Sequence, residues 1–247
     1  MQESLVRDVD LLCLDAGNTV IFLDHARIAR WLGTHEHAVE AARLVVAEGE
    51  AKRLQETTGL LPFAWEGQAA PGARAWGAML GTTMTRAGVD QDVVQDLLPL
   101  LWKEHVAWNL YSRVPDGLGD ALDTLRAGGA RVAIVSNSEG MLEALFEKLG
   151  ILRHFDAVLD SGKLGVEKPD PRIFEAALAR FGTPASRALH LGDTYATDVL
   201  GARAAGLRAA LIDPFLHYEG RHPDVPRVAG VVEVALAIAS KNNVKRG

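Results

Sequence analysis

Short apolar runs that end on polar or turn-forming residues constrain the fold of this chain more than any other feature. From about residue 114 these runs alternate with segments of helical periodicity. Apolar runs of this length, bounded by Gly, Asn or Asp, are typical of buried parallel strands, and strands that alternate with helices form a sheet covered on both faces. We therefore predict an α/β fold with a doubly wound parallel sheet. The predicted strands are Leu11–Leu14, Val132–Val135, Ala157–Leu159, Ala188–Leu191 and Ala209–Ile212.

Two of the intervening helices carry clear end signals. The apolar stripe that begins at Leu142 stops at Gly150, a residue type typical of helix C-termini. In the next helix Asp170 is the expected N-cap, Pro171 occupies the first turn, and Gly182 ends the stripe. These helices supply the right-handed crossovers that neighbouring parallel strands require.

The block from Asp24 to about Tyr111 has a different pattern, because its apolar residues recur at helical spacing without strand-like alternation. All five tryptophans of the chain lie in this block, and Gly and Pro cluster near residues 59–77. We predict a small helical bundle with one irregular loop. The tryptophans fill its core or, alternatively, line a substrate pocket. The residues that carry the helical pattern are Val39, Ala42, Val45, Val46, Val93, Val94, Leu97, Leu98, Leu101 and Trp102.

Composition argues against several classes of protein. Hydrophobic residues make up 48% of the chain and charged residues 23%, with no apolar segment near the roughly 20 residues that cross a bilayer. The net charge of −6 disfavours a nucleic-acid surface. No secretory signal is visible, and the single Cys13 lies in a predicted strand. We expect a soluble, cytoplasmic protein whose partner is a small molecule, with no nucleic-acid or membrane partner. The oligomeric state is not set by the sequence.

Polar side chains follow the predicted strands at the points where the strands end. Because the carboxyl ends of parallel strands share one edge of the sheet, we expect these side chains to converge. A carboxylate nucleophile, a hydroxyl and an ammonium that hold an oxyanion, and further acids for a hard cation suit phosphoryl transfer. Mg²⁺ takes one or two carboxylates, a demand that Asp15 and Asp193 meet. The residues in question are Asp15, Ser136, Asn137, Lys168, Asp193 and Asp198.

Four segments in this order resemble the motifs of one known family. They are D-A-G-N-T at 15–19, V-S-N-S at 135–138, G-V-E-K-P-D-P at 165–171 and G-D-T-Y-A-T-D at 192–198. Together they resemble the haloacid dehalogenase (HAD) superfamily of hydrolases over nearly the whole chain. The resemblance implies a HAD-like Rossmannoid core formed by residues 1–23 and 112–247. It also implies that residues 24–111 are an all-helical cap domain that closes over the site and selects the substrate.

The resemblance also implies a role for each site residue. Asp15 is the nucleophile that becomes an aspartyl-phosphate, and Ser136 and Lys168 are catalytic residues that hold the phosphate. Asn137 is assigned to the cofactor-binding residues at the same strand end. The implied Mg²⁺ ligands are Asp15, Gly17 through its backbone carbonyl, Asp193 and Asp198.

Each side chain has a plainer interpretation that the sequence leaves open. Ser136 could cap a helix, and Lys168 could be a solvated loop lysine. Asp193 could be a turn residue, and Asp198 could hold its own loop or Lys168 without touching a metal ion.

Gly17 departs from the pattern of the family. Phosphatases of the HAD superfamily usually have a second Asp two residues after the nucleophile, where it protonates the leaving group. A positioned general acid contributes roughly 10²–10⁴-fold, so glycine at this place should restrict the hydrolysis of alkyl phosphates. Asp24 or His25 could serve as a substitute acid. We therefore expect a Mg²⁺-dependent phosphatase that acts, with weak or restricted activity, on a small phosphorylated metabolite.

Two other hypotheses fit the missing Asp. A dehalogenase or a phosphonate-cleaving relative also works without it, and phosphonate cleavage would need a Schiff-base lysine from the helical block, where Lys52 and Lys103 are available. The second hypothesis is a non-catalytic HAD protein that only binds phosphate. Metal-dependent turnover of an aryl phosphate separates these hypotheses from the phosphatase.

Overall fold

The computed structural model describes residues 3–70 and 72–244. In chain order the strands are β1 (Leu11–Leu14), β2 (Phe22–Leu23), β3 (Tyr111–Arg113), β4 (Arg131–Ser136), β5 (Ala157–Asp160), β6 (Ala188–Gly192), β7 (Arg208–Ile212) and β8 (Arg227–Val228). The helices are α1 (Glu3–Val6), α2 (His25–Thr34), α3 (Ala41–Gln55), α4 (Ala73–Arg86), α5 (Gln91–Ala107), α6 (Leu118–Ala127), α7 (Leu142–Lys148), α8 (Ser161–Leu164), α9 (Pro171–Phe181), α10 (Leu200–Ala204) and α11 (Val231–Val244).

Six strands of the described chain form one parallel sheet in the order β5-β4-β1-β6-β7-β8. The central strand β1 pairs with β4 on one side and with β6 on the other, and all four of its residues are fully buried. The predicted α/β fold is confirmed, and each of the five predicted strands is present to within one residue at either end. The two-residue strand β8 was not predicted, because it is too short to show a pattern.

The helix end signals are confirmed as well. The carboxylate of Asp170 accepts a hydrogen bond from the backbone N–H of Arg172 at 3.0 Å, and Pro171 is the first residue of α9. Gly182 ends α9 in the left-handed conformation (φ 61°) that glycine adopts without strain. Among the helices of the described chain, none is both long and apolar enough to cross a bilayer.

The chain divides into two compact units. The first contains the parallel sheet and comprises Met1–Phe22, Arg113–Pro214 and His222–Gly247. The second, which we call the helical unit, contains α2 to α5 and comprises Leu23–Ser112 and Phe215–Arg221. The chain therefore passes between the units four times, twice near the two-stranded sheet of β2 and β3 and twice around residues 215–221.

The core of the helical unit is built on leucines and tryptophans. Trp65, Trp76 and Trp102 pack against one another with ring centroids 4.9 to 5.9 Å apart. Trp31 packs against the same core, whereas Trp108 is 37% exposed. Four of the five tryptophans are thus core residues, as expected for a helical bundle. The fully buried leucines around them include Leu32, Leu44, Leu98 and Leu101.

The buried face of α3 is not the face that the apolar pattern predicted. Val45 and Val46 are 40% and 56% exposed. Two of the inward positions carry charged side chains, so the apolar residues on the outer face dominated the sequence pattern. The carboxylate of one of them, Glu48, lies 2.7 Å from Nε2 of His25 in α2. The residues that face inward are Leu44, Ala47, Glu48, Ala51 and Lys52.

The irregular loop ends earlier than predicted, because α4 already begins at Ala73. Gly77 lies inside this helix although glycine weakens helices. A Cβ at Gly77 would lie 2.5 Å from Nε1 of Trp65, so a larger residue would displace the indole. This glycine is therefore explained by the close approach of a core tryptophan and does not mark a loop.

Residues 215–221 pack on α3 although they are distant from it in sequence. A Cβ at Gly49 would lie 3.0 Å from the Cβ of Phe215, so the phenylalanine rests directly on the helix. The fully buried Tyr218 donates a hydrogen bond from its hydroxyl to Oε1 of Glu56 at 2.7 Å. The helical unit is therefore completed by a segment that follows β7, which the predicted 24–111 domain did not include.

His105 is a buried histidine in the core of the helical unit. Its Nδ1 accepts hydrogen bonds from Nε1 of Trp76 at 3.1 Å and from the backbone N–H of Leu110 at 3.3 Å. Burial and, to a smaller extent, the positive charge of Arg27 lower the pKa of His105 from 6.5 to about 4. The neutral ring is therefore the form that the fold stabilises.

We expect His105 to make stability depend on pH. The unfolded chain binds a proton at this histidine between pH 6.5 and about 4 and the folded chain does not, so stability is complete above pH 6.5 and falls as the pH drops toward 4. The loss is at most about 3 kcal/mol. Urea unfolding at several pH values measures it. His105→Asn keeps an acceptor near the position of Nδ1 without titrating, and an equally steep pH dependence in that variant would contradict the assignment.

Candidate active site

The sheet brings the predicted site residues to one edge. Asp15 directly follows β1, and its backbone N–H donates to the carbonyl of Leu191 in β6 at 2.9 Å. Ser136 is the last residue of β4, and Asp193 directly follows the last residue of β6. Because all three strands are parallel, these side chains lie at the carboxyl edge of the sheet around its central strand.

The carboxylate of Asp15 is held at one of its two oxygens. Its Oδ1 accepts hydrogen bonds from Nζ of Lys168 at 2.6 Å and from Oγ of Ser136 at 2.9 Å. Within the described part of the chain, Oδ2 receives no hydrogen bond. One oxygen is therefore fixed in orientation, and the other is left for a ligand.

Lys168 is positioned through its own backbone. The side-chain amide of Asn137 donates to the carbonyl of Lys168 at 2.9 Å and accepts from its N–H at 2.7 Å. Asn137 thereby links the end of β4 to the loop before α9. This contact holds the lysine in place, and the assignment of Asn137 to cofactor binding stays a prediction.

Three buried carboxylates lie close together at this edge of the sheet. One oxygen each from Asp15, Asp193 and Asp198 lies within 4.8 Å of the others. Burial raises the pKa of Asp15, against the opposing effect of the Lys168 ammonium, and the charges of Asp198 and Asp193 raise it further. Negative charge is thus in excess at this edge, as expected for a site that binds a divalent cation.

The charge state of Lys168 is set by its two carboxylate partners. Burial alone would lower the pKa of the ammonium, but Asp15 and Asp198 raise it well above its usual range. Lys168 therefore stays protonated and can hold negatively charged oxygens. Its Nζ is 2.6 Å from Oδ1 of each acid, so it is shared equally between them.

Asp198 is fixed at both oxygens. Its Oδ1 accepts from Lys168 and lies 3.0 Å from Nε2 of His190, while Oδ2 accepts from the backbone N–H of Thr194 at 2.9 Å. A Cβ at Gly192 would lie 2.2 Å from its Cγ, so glycine leaves room for this carboxylate. Burial would raise the pKa of Asp198, but Lys168 and His190 hold it well below its usual range.

Gly17 lies in the turn that follows Asp15. The carbonyl of Ala16 accepts hydrogen bonds from the N–H groups of Val20 and Ile21 at 2.9 and 3.0 Å, and these bonds close the turn. Gly17 is half-buried and forms an isolated β-bridge with Ile21. The backbone of Gly17 therefore lies close to Asp15. Glycine supplies no carboxyl group at this position.

The substitute groups considered from sequence lie in the helical unit and have other contacts there. Asp24 caps α2, since its Oδ1 accepts from the N–H of Arg27 at 2.8 Å. His25 is paired with Glu48. Of the lysines considered for a Schiff base, Lys52 is 5% exposed and Lys103 is exposed on α5.

The residues around Asp198 were missed by sequence reasoning. His190 is a polar residue in an otherwise apolar strand, and this break in the apolar pattern could have identified it as a functional candidate. Nothing in the sequence marks Gly192, because glycine is required there only by the Asp198 carboxylate that packs against it in the fold. Thr194 contributes a backbone N–H, which any residue except proline would supply.

The family model of haloacid dehalogenase-like hydrolases matches residues 9–206. The chain belongs to this family. Helices surround the parallel sheet as in solved HAD structures, so the fold is the HAD fold. The family match makes the chain a hydrolase.

Individual relatives support the same assignment. Haloacid dehalogenase-like hydrolase domain-containing protein 3 from Bos taurus is 32% identical over 206 residues, which are 82% of this chain and 81% of that protein. Phosphoserine phosphatase from Thermus thermophilus is 35% identical over 188 residues, 71% of this chain and 73% of that protein. The magnesium-bound putative HAD-hydrolase YfnB from Bacillus subtilis matches with a TM-score of 0.60, 18% identity and coverage of 91% and 96%. Phosphatases are therefore among the relatives of this HAD hydrolase.

Proposed function

We propose that this chain is a Mg²⁺-dependent phosphatase that transfers the phosphoryl group of a small phosphorylated metabolite to Asp15 and then to water. The observation that carries the proposal is the asymmetry of the Asp15 carboxylate. Lys168 and Ser136 hold Oδ1, whereas Oδ2 receives no hydrogen bond from the described residues. A carboxylate held in this way presents one oxygen as a nucleophile. The phosphatases among its relatives favour phosphorus as the centre that is attacked.

The proposed reaction has two steps. Oδ2 of Asp15 forms a bond to phosphorus while the bond from phosphorus to the ester oxygen breaks, and the leaving group takes that electron pair. Water then attacks the phosphorus of the aspartyl-phosphate, releases phosphate and restores the carboxylate. The Lys168 ammonium and the Ser136 hydroxyl are the donors that stabilise negative charge on the phosphoryl oxygens in both steps.

The donor set fits a hard divalent cation, because three buried carboxylates offer oxygens within 4.8 Å of one another. We propose Asp15 and Asp193 as side-chain ligands, the carbonyl of Gly17 as a backbone ligand, and Asp198 as the third acid. The oxygens of Asp198 already accept hydrogen bonds, so its main contribution is negative charge. When bound, Mg²⁺ neutralises charge on the transferring phosphoryl group.

Adding Mg²⁺ should raise the thermal stability of the protein, because the cation binds the crowded carboxylates of the folded chain. At a free concentration about 100 times the dissociation constant, the free energy of unfolding should rise by about 2.7 kcal/mol. Differential scanning fluorimetry with and without Mg²⁺ measures the shift. Asp193→Asn should lose most of it. Asp213→Asn, at the end of the neighbouring β7, is the matched control and should keep it. An undiminished shift in Asp193→Asn would refute the ligand assignment.

Turnover of p-nitrophenyl phosphate with Mg²⁺ or with a chelator tests the function itself. The proposal requires phosphate release that the chelator abolishes. Metal-independent release of halide from a 2-haloacid would point to dehalogenation. Binding of inorganic phosphate without turnover of any ester would point to a non-catalytic protein.

We also propose that the helical unit is a cap that selects the substrate. The chain enters and leaves the unit's larger segment at Leu23 and Ser112, beside the short strands β2 and β3. Substitutions in this unit should change relative rates across a panel of phosphate esters. Among esters whose leaving groups have similar pKa values, substitutions in the sheet unit should change all rates together, and the reverse pattern would contradict this division.

The single cysteine of the chain bears on its cellular location, and the charged site residues bear on its partner. The buried thiol of Cys13 has its pKa raised to about 12 by burial, so it is inert as a nucleophile. We propose a cytoplasmic location, because a single buried cysteine that forms no internal disulfide suits a reducing compartment. Activity in a cytosolic fraction tests it. The proposed partner is a small phosphorylated molecule, because Asp15 and Lys168 can hold a phosphoryl group.

A further inference from the structure

His190 is the innermost member of a chain of hydrogen bonds that leads to Asp15. It lies on β6 next to the central strand, where its register partner in β1 is Cys13, and it is fully buried. Its Nε2 is 3.0 Å from Oδ1 of Asp198, and that oxygen also accepts from Lys168, whose ammonium reaches Asp15. No role in the chemistry proposed above has been given to this histidine.

The hydrogen-bonding capacity of the two side chains defines the tautomer of the ring. An ionised carboxylate only accepts hydrogen bonds, so Nε2 of His190 must carry the proton that it donates to Asp198. Its Nδ1 is buried and has no hydrogen-bond partner among residues 3–70 and 72–244. With the proton on Nε2, no N–H of the ring is left buried without an acceptor. Phe174 packs edge-on against the ring, with centroids 4.9 Å apart.

The orientation of Asp198 depends on this donor. Thr194 holds Oδ2 through its backbone, and Oδ1 is shared by Lys168 and His190. Without the histidine, Lys168 alone would hold Oδ1, and the carboxylate could rotate together with the lysine. This matters most once Oδ2 of Asp15 carries the phosphoryl group, because Oδ1 is then an uncharged carbonyl oxygen that accepts a weaker hydrogen bond from Lys168. Asp198 is then the carboxylate that still pairs with the ammonium.

We propose that His190 is a positioning residue that fixes Asp198 and, through it, the Lys168 ammonium beside Asp15. Its kinetic consequence rests on the proposed phosphatase function, whereas the positioning of Lys168 does not. The effect should fall on kcat more than on KM, because Lys168 stabilises charge during the chemical steps.

The kinetic test compares three variants with p-nitrophenyl phosphate and Mg²⁺. His190→Leu should lower kcat by about 10- to 100-fold with KM changed by less than about threefold, in the range seen when groups that orient a catalytic side chain are removed. His190→Gln places an amide N–H near the position of Nε2 and should recover most of kcat. Phe174→Leu is the matched control, since it removes a buried aromatic ring beside His190 and keeps the hydrogen bond from Nε2 to Asp198. An equal loss of kcat in Phe174→Leu, or no rescue by glutamine, would overturn the proposal.

A second measurement does not need turnover. NMR of protein with ¹⁵N-labelled lysine side chains reports the Lys168 ammonium, which is identified by the signal that Lys168→Arg removes. His190→Leu should shift this signal, and His190→Gln should restore it. An unchanged signal in His190→Leu overturns the positioning role. A shifted signal in a protein that hydrolyses no phosphate ester supports the positioning role and refutes the phosphatase function.

Discussion

Replacing Asp15 with asparagine should abolish phosphatase turnover and leave the fold intact. The amide is nearly the same size as the carboxylate, and its oxygen can still accept the hydrogen bonds of Lys168 and Ser136. It cannot form an acyl phosphate by attack on phosphorus. We expect kcat to fall by roughly 10⁴-fold or more, because removal of a nucleophile costs at least this much in enzymes with covalent intermediates. Steady-state hydrolysis of p-nitrophenyl phosphate measures the loss.

Chemical trapping identifies the nucleophile independently of rate. Brief incubation with substrate followed by acid quench and borohydride reduction should convert a phosphorylated aspartate into homoserine. Peptide mass spectrometry should find this change at residue 15 of the native protein and not in Asp15→Asn. The thermal melting and circular dichroism of the variant check its fold. Near-normal turnover in a variant free of deamidation would show that another group attacks phosphorus.

Restoring a carboxyl group at position 17 should broaden the range of substrates. The native protein should hydrolyse aryl and acyl phosphates far better than alkyl phosphates, because their leaving groups depart without a proton. Gly17→Asp should raise kcat/KM for alkyl phosphates by up to roughly 10²–10⁴-fold and change aryl phosphates much less. A series of phosphate esters with graded leaving-group pKa measures both effects as the slope of log kcat/KM against that pKa.

Gly17→Asn is the matched control, because the amide has the shape of the carboxyl group and cannot donate its proton in the same way. It should leave the steep slope of the native protein unchanged, while Gly17→Asp should flatten it. If alkyl and aryl phosphates are already hydrolysed at similar rates, a substitute acid is present, and His25→Gln should then steepen the slope. Similar native rates combined with no effect of either substitution would mean that Gly17 does not limit this protein.

The position of the site was predictable from the sequence, because it depends on the topology of the sheet more than on individual side-chain contacts. In a parallel sheet all strands end at the same edge, so Asp15, Ser136 and Asp193 had to lie along that edge. The order β4-β1-β6 then brings them together. Their apolar strands were recognisable from four or five residues each. The motif around Lys168 then predicted that a lysine ammonium group lies at the same edge.

The contacts within the site were not predictable in this way. Whether Asp198 binds a metal ion or holds Lys168 depends on differences of about one ångström in oxygen positions, which no spacing along the chain encodes. The His190 donor was hidden because one polar residue in a buried strand has many explanations. In the helical unit, the charges of Glu48 and Lys52 point inward, and the apolar pattern of α3 therefore misled the prediction of its buried face.

The helical unit can be exchanged between proteins only together with the segment Phe215–Arg221. A graft of residues 23–112 onto another sheet unit would look complete in a sequence alignment, since it carries all of α2 to α5. It would leave behind the phenylalanine that rests on Gly49 and the tyrosine that donates to Glu56. Recombination, in evolution or in the laboratory, must therefore transfer two pieces of gene that lie about one hundred codons apart. Among related proteins, we expect substitutions in residues 23–112 to co-vary with substitutions in Phe215–Arg221.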